Sequence, residues 1–348
     1  MASYNFSSRL NESKFDFDDE AIRGNTSQDG CQFRNDATST QTLRVVVYCV
    51  IIAVSIFGNC MTIAVVWRNK NMRKALDFFI VNLALTDLTI TCVYMPRVIV
   101  MWLRGSAWLV EGVFGAILCK VVPFLHGISI LVSILTLMAL AVDRFIAIVY
   151  PLRQRITART SKFIIAFTWI LAAMVRFPYL YSLKLVYKTR EDEFSCDANI
   201  KRAFGINQAR EIYYTFLFVA FYGVPFLIIT ASYVKILVAL RRQQAFREDI
   251  ADEAKDSARS KVVRETRDRA SKKVLYMLLS VTAAFVFCWL PYFVAQIVFD
   301  VIPCLLRFWR LFLAHSNSAL NPCLYAVFNE KYRRGYRRIL SLFCCERV

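Results

Sequence analysis

Long stretches without charge alternate with charged segments along the whole chain. At about 1.5 Å per residue, a helix of about 20 residues crosses the roughly 30 Å hydrocarbon core of a bilayer. Two stretches of this length contain a single charge each, Phe78–Met95 with Asp87 and Phe163–Leu183 with Arg176. Five others contain no Asp, Glu, Lys or Arg: Val45–Trp67, Val121–Val142, Ile212–Val234, Val274–Phe299 and Leu311–Asn329. The pattern predicts an all-α membrane protein with a bundle of seven transmembrane helices.

Composition argues against a water-soluble domain. Hydrophobic residues make up 57% of the chain, and the mean hydropathy is +0.43. A soluble fold has too little interior to bury that much apolar surface. The chain has two histidines, no Gly-rich phosphate loop and no evident pairing of nucleophile and base, so no enzymatic activity is predicted.

The distribution of Lys and Arg predicts the orientation of the helices. These residues are concentrated in 68–77, 143–162, 235–273 and 330–348. They are sparser in the alternate segments 1–44, 96–120, 184–211 and 300–310, which are expected to be the leader and the loops on the opposite side. Cytoplasmic loops carry such an excess, so we expect a multi-pass plasma-membrane protein with an extracellular N-terminus. The formal net charge of +18 then reflects loops that contact an anionic leaflet, and nucleic acid binding is not expected.

The segment before the first predicted helix, 1–43, is rich in Asp, Ser, Asn and Thr, which is typical of disorder. It contains three Asn-X-Ser/Thr sequons, at Asn5, Asn11 and Asn25, where glycosylation is predicted. We therefore divide the chain into an extracellular leader over 1–43, a helical bundle over 44–327 and a cytosolic tail over 328–348.

The tail has the pattern of an amphipathic helix on the inner leaflet. Its basic residues occupy one face, and the adjacent Cys344 and Cys345 are predicted palmitoylation sites, so lipid is an expected partner. The apolar residues recur at spacings of 3, 4 and 7: Phe328, Tyr332, Tyr336, Ile339, Leu340 and Phe343.

Four cysteines fall on the predicted extracellular, oxidising side: Cys31, Cys119, Cys196 and Cys304. An even set of this kind allows two disulfides. The sequence alone leaves the pairing open.

Asp87 is the first functional candidate, because a carboxylate within a span is costly in hydrocarbon. Together with polar groups of other spans, it would supply the oxygens that a small hard cation such as Na⁺ requires. No other cofactor is expected. The polar groups are Asn59, Ser133, Asn317, Ser318 and Asn321.

Helical periodicity predicts which candidate residues share a face. His126, Ser133 and Arg144 are spaced by 7 and 11 residues, which returns them to nearly one direction around the third helix. Trp289, Gln296 and Asp300 repeat this spacing in the sixth helix. Prolines that kink membrane helices are expected at Pro96, Pro178, Pro225, Pro291 and Pro322.

Taken together, these residues resemble the rhodopsin-like G-protein-coupled receptors over about residues 44–345. The motifs that carry the resemblance occur in order, one set per helix: Gly58-Asn59, Leu83–Leu88, Asp143–Phe145, Trp169, Phe285–Pro291 and Asn321–Tyr325. The resemblance implies a disulfide between Cys119 and Cys196. It also implies Na⁺ held by Asp87 with Ser133, Asn317 and Asn321 nearby.

The resemblance further implies a conformational switch that admits a heterotrimeric G protein, with arrestin and a receptor kinase as further partners. The switch residues would be Asp143, Arg144, Tyr233, Tyr325, Phe285, Pro225 and Ile134. Phe145 replaces the usual Tyr, and Ser271 stands where rhodopsin carries an acid. Raised basal activity is expected in consequence.

Two absences narrow the ligand class. His126 stands where biogenic amine receptors have an Asp, and His315 stands where an opsin has its Schiff-base Lys. The remaining resemblance is to neuropeptide receptors of the neuropeptide Y and RFamide group, in which an Asp at the place of Asp300 pairs with a peptide Arg. The segment Leu183–Ile200, around Cys196, has the alternation of a β-hairpin lid.

The predicted ligand is therefore an extracellular amidated peptide that contains Arg. The candidate ligand-binding residues are Asp300, Gln296, His126, Trp289, Tyr292, Glu211 and His315. The alternative within the receptors is a chemokine-like receptor, with Cys31 and Cys304 as a second bridge, or another small-ligand receptor. A membrane transporter is the alternative outside them, since an intramembrane Asp and broken helices also serve ion pathways.

Overall fold

The computed structural model of the protein describes residues 38–150, 152, 156–189, 192–253, 258–299 and 302–345. Several predictions concern residues or side chains outside this set, and they stay predictions. The residues are Asn5, Asn11, Asn25, Cys31 and Asp300, and the side chains are those of Ser271, Cys304, Phe343, Cys344 and Cys345.

Helices dominate the described residues. In chain order, the elements are α1 (Thr38–Arg68), α2 (Ala75–Thr89), α3 (Met95–Arg104), α4 (Gly112–Val149), α5 (Ala158–Ser182), β1 (Leu183–Lys188), β2 (Glu193–Ala198), α6 (Ile200–Phe204), α7 (Ala209–Phe218), α8 (Val224–Glu253), α9 (Ala258–Val298), α10 (Cys304–Phe328) and α11 (Glu330–Cys345). The pairs α2–α3 and α7–α8 are each joined by one π-helical turn. Counting each pair once, the described residues form seven long helical segments, as the sequence predicts.

Six of these segments are long and apolar enough to cross a membrane, judged by length and composition of the described residues. The seventh, α10, has 25 residues and is about 37 Å long, which is sufficient. Its mean hydropathy is lowered by polar residues such as His315, Asn317 and Asn321. These residues face the interior of the bundle, because each is at most 3% exposed.

The helices extend beyond the charge-free stretches that predicted them. The fifth and sixth spans continue into 241–273, with α8 reaching Glu253 and α9 beginning at Ala258, as expected. On the other side of the bundle, the segment 300–310 was expected to be a loop. That expectation is wrong for its second half, because α10 already begins at Cys304 and includes Arg310.

Two expected proline kinks coincide with π-helical turns. Ile90–Tyr94 precedes Pro96, and Val219–Gly223 precedes Pro225. Proline lacks an amide proton and its ring clashes with the carbonyl four residues earlier, so the local hydrogen-bond pattern must change. A π turn is wider than an α turn, so it changes which side chains face the neighbouring helices. Tyr94, the last residue of the turn Ile90–Tyr94, faces α4 and stacks on His126.

The helix α4 lies at the centre of the bundle. In its most apolar window, 78% of the residues are buried, compared with 17% for α5 and 33% for α1. A peripheral helix of a membrane bundle presents apolar side chains to lipid, and Phe57 and Phe167 are exposed accordingly. The central α4 is thus the helix on which the candidate residues of the other helices converge.

The predicted β-hairpin is confirmed. Strands β1 and β2 pair antiparallel, with Leu185 opposite Cys196. Cys196 forms a disulfide with Cys119 near the start of α4, at a Cα–Cα distance of 5.5 Å, so the pairing implied by the family resemblance is also confirmed. The hairpin is therefore tied to the central helix, and we call this side of the molecule the hairpin end.

The predicted amphipathic helix α11 is confirmed, but part of its apolar face contacts the bundle. Tyr336 Oη and Thr62 Oγ1 of α1 are 2.7 Å apart, and Tyr332 Oη donates to Asp77 Oδ1 of α2 at 3.5 Å. Burial raises the pKa of Tyr336 to about 12, so its phenol stays protonated and able to donate. Gly335 allows the close approach, because an added Cβ would lie 2.5 Å from Val65 Cγ1.

Candidate functional site

Asp87 is buried in the middle of the bundle, where α2 meets α10. Its carboxylate accepts a hydrogen bond of 2.8 Å from Asn321 Nδ2. Beside it on α2, Thr86 Oγ1 lies 2.8 Å from Ser133 Oγ of α4. The structure thus brings Asp87 and Asn321 into contact, and it places Ser133 next to them through Thr86.

Buried oxygens without partners accompany this carboxylate. Asn59 Oδ1, Asn317 Oδ1 and Asn321 Oδ1 have no hydrogen-bond partner. Since buried polar atoms are normally paired, the donor set fits water or a small cation. The described residues contain no group of three His, Cys, Asp or Glu that could hold a metal ion. One carboxylate among neutral oxygens suits a monovalent, hard ion such as Na⁺.

Asn82 of α2, five residues before Asp87, connects α2 with α4 and α5. Its side chain accepts from Trp169 Nε1 of α5 at 2.9 Å and donates to Thr136 Oγ1 of α4 at 2.8 Å. These two hydrogen bonds fix the relative positions of α2, α4 and α5. The motif residue Trp169 therefore has a structural role in the described residues.

Two histidines that are distant in sequence meet near the hairpin end. His126 lies seven residues after Cys119, about 10 Å along α4. Its Nε2 is 3.3 Å from His315 Nε2 of α10, and His315 Nδ1 is 3.3 Å from Tyr48 Oη. One imidazole must donate and the other accept, so the pair requires at least one neutral ring.

Aromatic rings surround the histidines. Tyr94 stacks on His126 with ring centroids 3.7 Å apart, and Tyr292 of α9 lies edge-on at 6.1 Å. We call Tyr94, His126, Tyr292 and His315 the histidine cluster. Trp289 lies against it, 6.0 Å from His126. The structure thus brings together four of the predicted ligand-binding residues.

Two arginines beside the histidine cluster are buried, and sequence reasoning assigned them no role. Arg176 of α5 is 8% exposed and Arg310 of α10 is 9% exposed. The sequence could have indicated a role for Arg176, because it is a charged residue within a predicted membrane span, and such residues are functional candidates by default. Arg310 had no such signal, since it lay in the segment expected to be a loop.

Glu211 and Gln296, the other predicted ligand-binding residues that the structure describes, lie at the hairpin end of α7 and α9. Arg210 of α7 donates to the backbone carbonyls of Gln296 and Phe299 at 3.3 and 3.1 Å. The guanidinium of Arg210 is therefore held at the end of α9, and Asp300 is the next residue in the sequence. Glu211 is 3.4 Å from Lys201, and it is not among the contacts of the histidine cluster in the described residues.

The predicted switch residues extend from Trp289 to the opposite end of the bundle. Phe285 stacks under Trp289 at 5.8 Å and belongs to the same buried core as Ile134, while Pro225 adjoins Phe226, whose ring lies 6.1 Å from Phe285.

Farther along α4, Arg144 Nε donates to Asp143 at 2.9 Å. Tyr233 and Tyr325 are both buried, and Tyr325 Oη has no hydrogen-bond partner. An unpaired buried phenol is poised to gain a partner if the helices rearrange.

The sequence is similar to known receptors over most of its length. Residues 58–325 match the family described as 7 transmembrane receptor (rhodopsin family). Neuropeptide FF receptor 1 of Rattus norvegicus is 30% identical over 320 residues, which cover 86% of this chain and 71% of that receptor. The RYamide receptor of Drosophila melanogaster is 29% identical over 332 residues, covering 90% and 68%. A QRFP-like peptide receptor of Branchiostoma floridae is 29% identical over 317 residues, covering 86% and 78%.

Proposed function

Because the chain belongs to the rhodopsin family of seven-transmembrane receptors, we propose that it binds an extracellular peptide and activates a heterotrimeric G protein. Family membership confirms the predicted seven-helix membrane fold and the prediction that the chain is not an enzyme. The observation that carries the peptide proposal is that several relatives are named as peptide receptors, for neuropeptide FF, RYamide and a QRFP-like peptide.

The ligand would bind at the hairpin end, on the histidine cluster. The half-buried rings of Tyr94 and Tyr292 offer apolar faces with polar tips, which suits a peptide side chain. Trp289 would form the floor, and Gln296 would lie nearer the entrance. Asp300 would pair with a peptide Arg, as a carboxylate prefers a planar guanidinium.

The orientation is part of the proposal. The Cys119–Cys196 disulfide at the hairpin end suits an oxidising, extracellular compartment. The basic face of α11 at the other end suits the cytosolic leaflet. On this orientation the N-terminus is extracellular, Asn5, Asn11 and Asn25 are accessible to glycosylation, and Cys344 and Cys345 are accessible to palmitoylation.

A bound Na⁺ would lie in the middle of the bundle, between the ligand site at the hairpin end and the G-protein site at the α11 end. Asp87, Asn321, Asn317 and Ser133 would hold it, and it would supply the positive charge that the buried carboxylate lacks. Activation would rearrange Phe285, Ile134 and Pro225 beneath Trp289. Arg144, Tyr233 and Tyr325 would then open the α11 end to the G protein, and later to a receptor kinase and arrestin.

The test is a screen of secreted amidated peptides on membranes that contain the receptor and added G protein, with guanine-nucleotide exchange as the readout. We expect saturable exchange with at least one peptide that contains Arg. Arg144→Ala should abolish exchange and leave radioligand binding of that peptide intact. Exchange that no peptide stimulates would contradict the proposal, and so would stimulation that survives Arg144→Ala.

A further inference from the structure

Two guanidinium groups are buried next to the histidine cluster without an acidic partner. Arg176 Nε, and Nε and Nη1 of Arg310, are buried and donate to no hydrogen-bond partner among the described residues. Within the described ranges, the ion pairs are Arg144–Asp143, Lys201–Glu211 and Arg334–Glu330, and none involves Arg176 or Arg310. A buried cation without a counter-ion is strongly disfavoured.

The two guanidinium groups belong to different helices, α5 and α10, and each lies beside a different part of the histidine cluster. Arg176 lies against the backbone of Gly127, the neighbour of His126, where an added Cβ would be 2.1 Å from its Nε. The Cζ of Arg310 lies 5.2 Å from the ring centroid of Tyr292. Both arginines interact electrostatically with His126 and with Tyr94, so both positive charges act on the histidine cluster.

The surrounding residues supply only part of the compensation. Arg176 Cζ lies 4.5 Å from the ring centroid of Tyr179 and 5.9 Å from that of Tyr213. Aromatic faces attract a cation weakly compared with a carboxylate. These neutral rings therefore leave the site with a net positive charge.

Among the described residues, the nearby charged groups do not neutralise this positive charge. Arg97 of α3 adds a third cation, with its Cζ 5.0 Å from the ring centroid of Trp108 and Nη2 donating to Ser106 O at 3.3 Å. Asp197 acts electrostatically on Arg97 and accepts from Ser195 Oγ at 2.7 Å. Glu211 is engaged with Lys201.

We propose that Arg176 and Arg310 bind a carboxylate group of the ligand between them, on the histidine cluster. This rests on the proposed function in taking the cluster as the ligand site. Guanidinium groups bind carboxylates through charge-assisted hydrogen bonds. Arg176 Nε and Arg310 Nη1 have no partner among the described residues, so both can donate to a ligand carboxylate. Since the C-terminus of an amidated peptide is neutral, the ligand thus carries an Asp or Glu side chain in addition to any Arg that Asp300 would recognise.

The first test needs no natural ligand. Thermal unfolding of the purified receptor in lipid nanodiscs is compared between wild type, Arg176→Gln, Arg310→Gln and the exposed control Arg104→Gln. Because each buried charge lacks a counter-ion, the first two variants should unfold at the wild-type temperature or above it. A clear fall in either variant relative to Arg104→Gln would mean that the protein already compensates that arginine, which would overturn the proposal.

The same preparations are then titrated with sodium benzoate against the isosteric neutral benzamide, at constant ionic strength. Benzoate should raise the unfolding temperature of wild type and of Arg104→Gln, and benzamide should not. The effect should disappear in Arg176→Gln and Arg310→Gln. Equal responses to benzoate and benzamide in wild type would overturn the proposal.

An active peptide from the exchange assay then identifies the source of the carboxylate. Each Asp of this amidated peptide is replaced by Asn and each Glu by Gln, singly and then all together. Removal of the recognised carboxylate should lower potency about a hundredfold in wild type and leave Arg310→Gln unaffected. Full potency after removal of every carboxylate would overturn the proposal and leave the peptide function intact. Conversely, if benzoate stabilised the protein but no peptide activated it, the proposed peptide function would be contradicted and the carboxylate site would stand.

Discussion

Replacement of Gly58 by Ala tests how the first and last helices of the bundle fit together. Gly58 of α1 faces Pro322 of α10, and a Cβ at Gly58 would lie 2.7 Å from both Cβ and Cγ of that proline. Ordinary carbon contacts are about 3.5–4.0 Å, so the helices must separate by roughly 1 Å. The proline ring is rigid and cannot turn aside as a long side chain would.

Separation also strains the next polar contact. Asn59 Nδ2 donates to the backbone carbonyl of Ser318 at 2.9 Å, across the same helix interface. Overpacking costs about 1–3 kcal/mol, and weakening this hydrogen bond adds about 1 kcal/mol. The better helix propensity of Ala returns about 1 kcal/mol. We therefore expect a net loss of stability of about 1–3 kcal/mol.

The assay is thermal unfolding of the purified receptor, followed by tryptophan fluorescence. Gly223→Ala is the matched control, because a Cβ there meets only Phe218 O at an ordinary 3.5 Å. Gly58→Ala should unfold several degrees below wild type, and Gly223→Ala should unfold at the wild-type temperature or above. If the two variants unfolded at the same temperature, the close approach of Gly58 and Pro322 would not constrain the helices and the reasoning would be refuted.

Three further predictions concern the proposed function. Asp87→Asn should abolish the effect of NaCl, compared with choline chloride, on agonist affinity; a sodium effect that persisted would exclude the carboxylate as the ion's ligand. Asp300→Ala should weaken an Arg-containing peptide far more than its Arg→Ala analogue, and equal losses of affinity for both peptides would argue against the pairing. Tyr336→Phe removes the hydrogen bond to Thr62 and should lower stability by about 1 kcal/mol, measured by thermal unfolding; an unchanged unfolding temperature would show that the bond contributes nothing.

The sequence was sufficient for features that depend on local pattern. Stretches with at most one charge predicted the seven helical segments, because an unpaired charge in hydrocarbon is costly wherever the helix lies in the bundle. Alternation around Cys196 predicted the hairpin, and spacings of 3, 4 and 7 predicted α11. Each of these signals depends on residues that are close together along the chain.

Contacts between distant helices were decided by the tertiary structure. His126 and His315 were singled out separately, for what each of them replaces, yet they are 189 residues apart and share a hydrogen bond. That contact depends on how the bundle places α4 opposite α10, and Tyr94 stacks on His126 from the π turn before Pro96. No periodicity within one helix encodes such a meeting.

The status of the two buried arginines was decided in the same way. In the sequence, Arg176 only interrupts an apolar stretch and Arg310 precedes one. In the folded protein both are over nine-tenths buried beside the histidine cluster. Sequence determines which residues carry charge, whereas burial, and with it the need for a partner, arises only when the helices pack and exclude water.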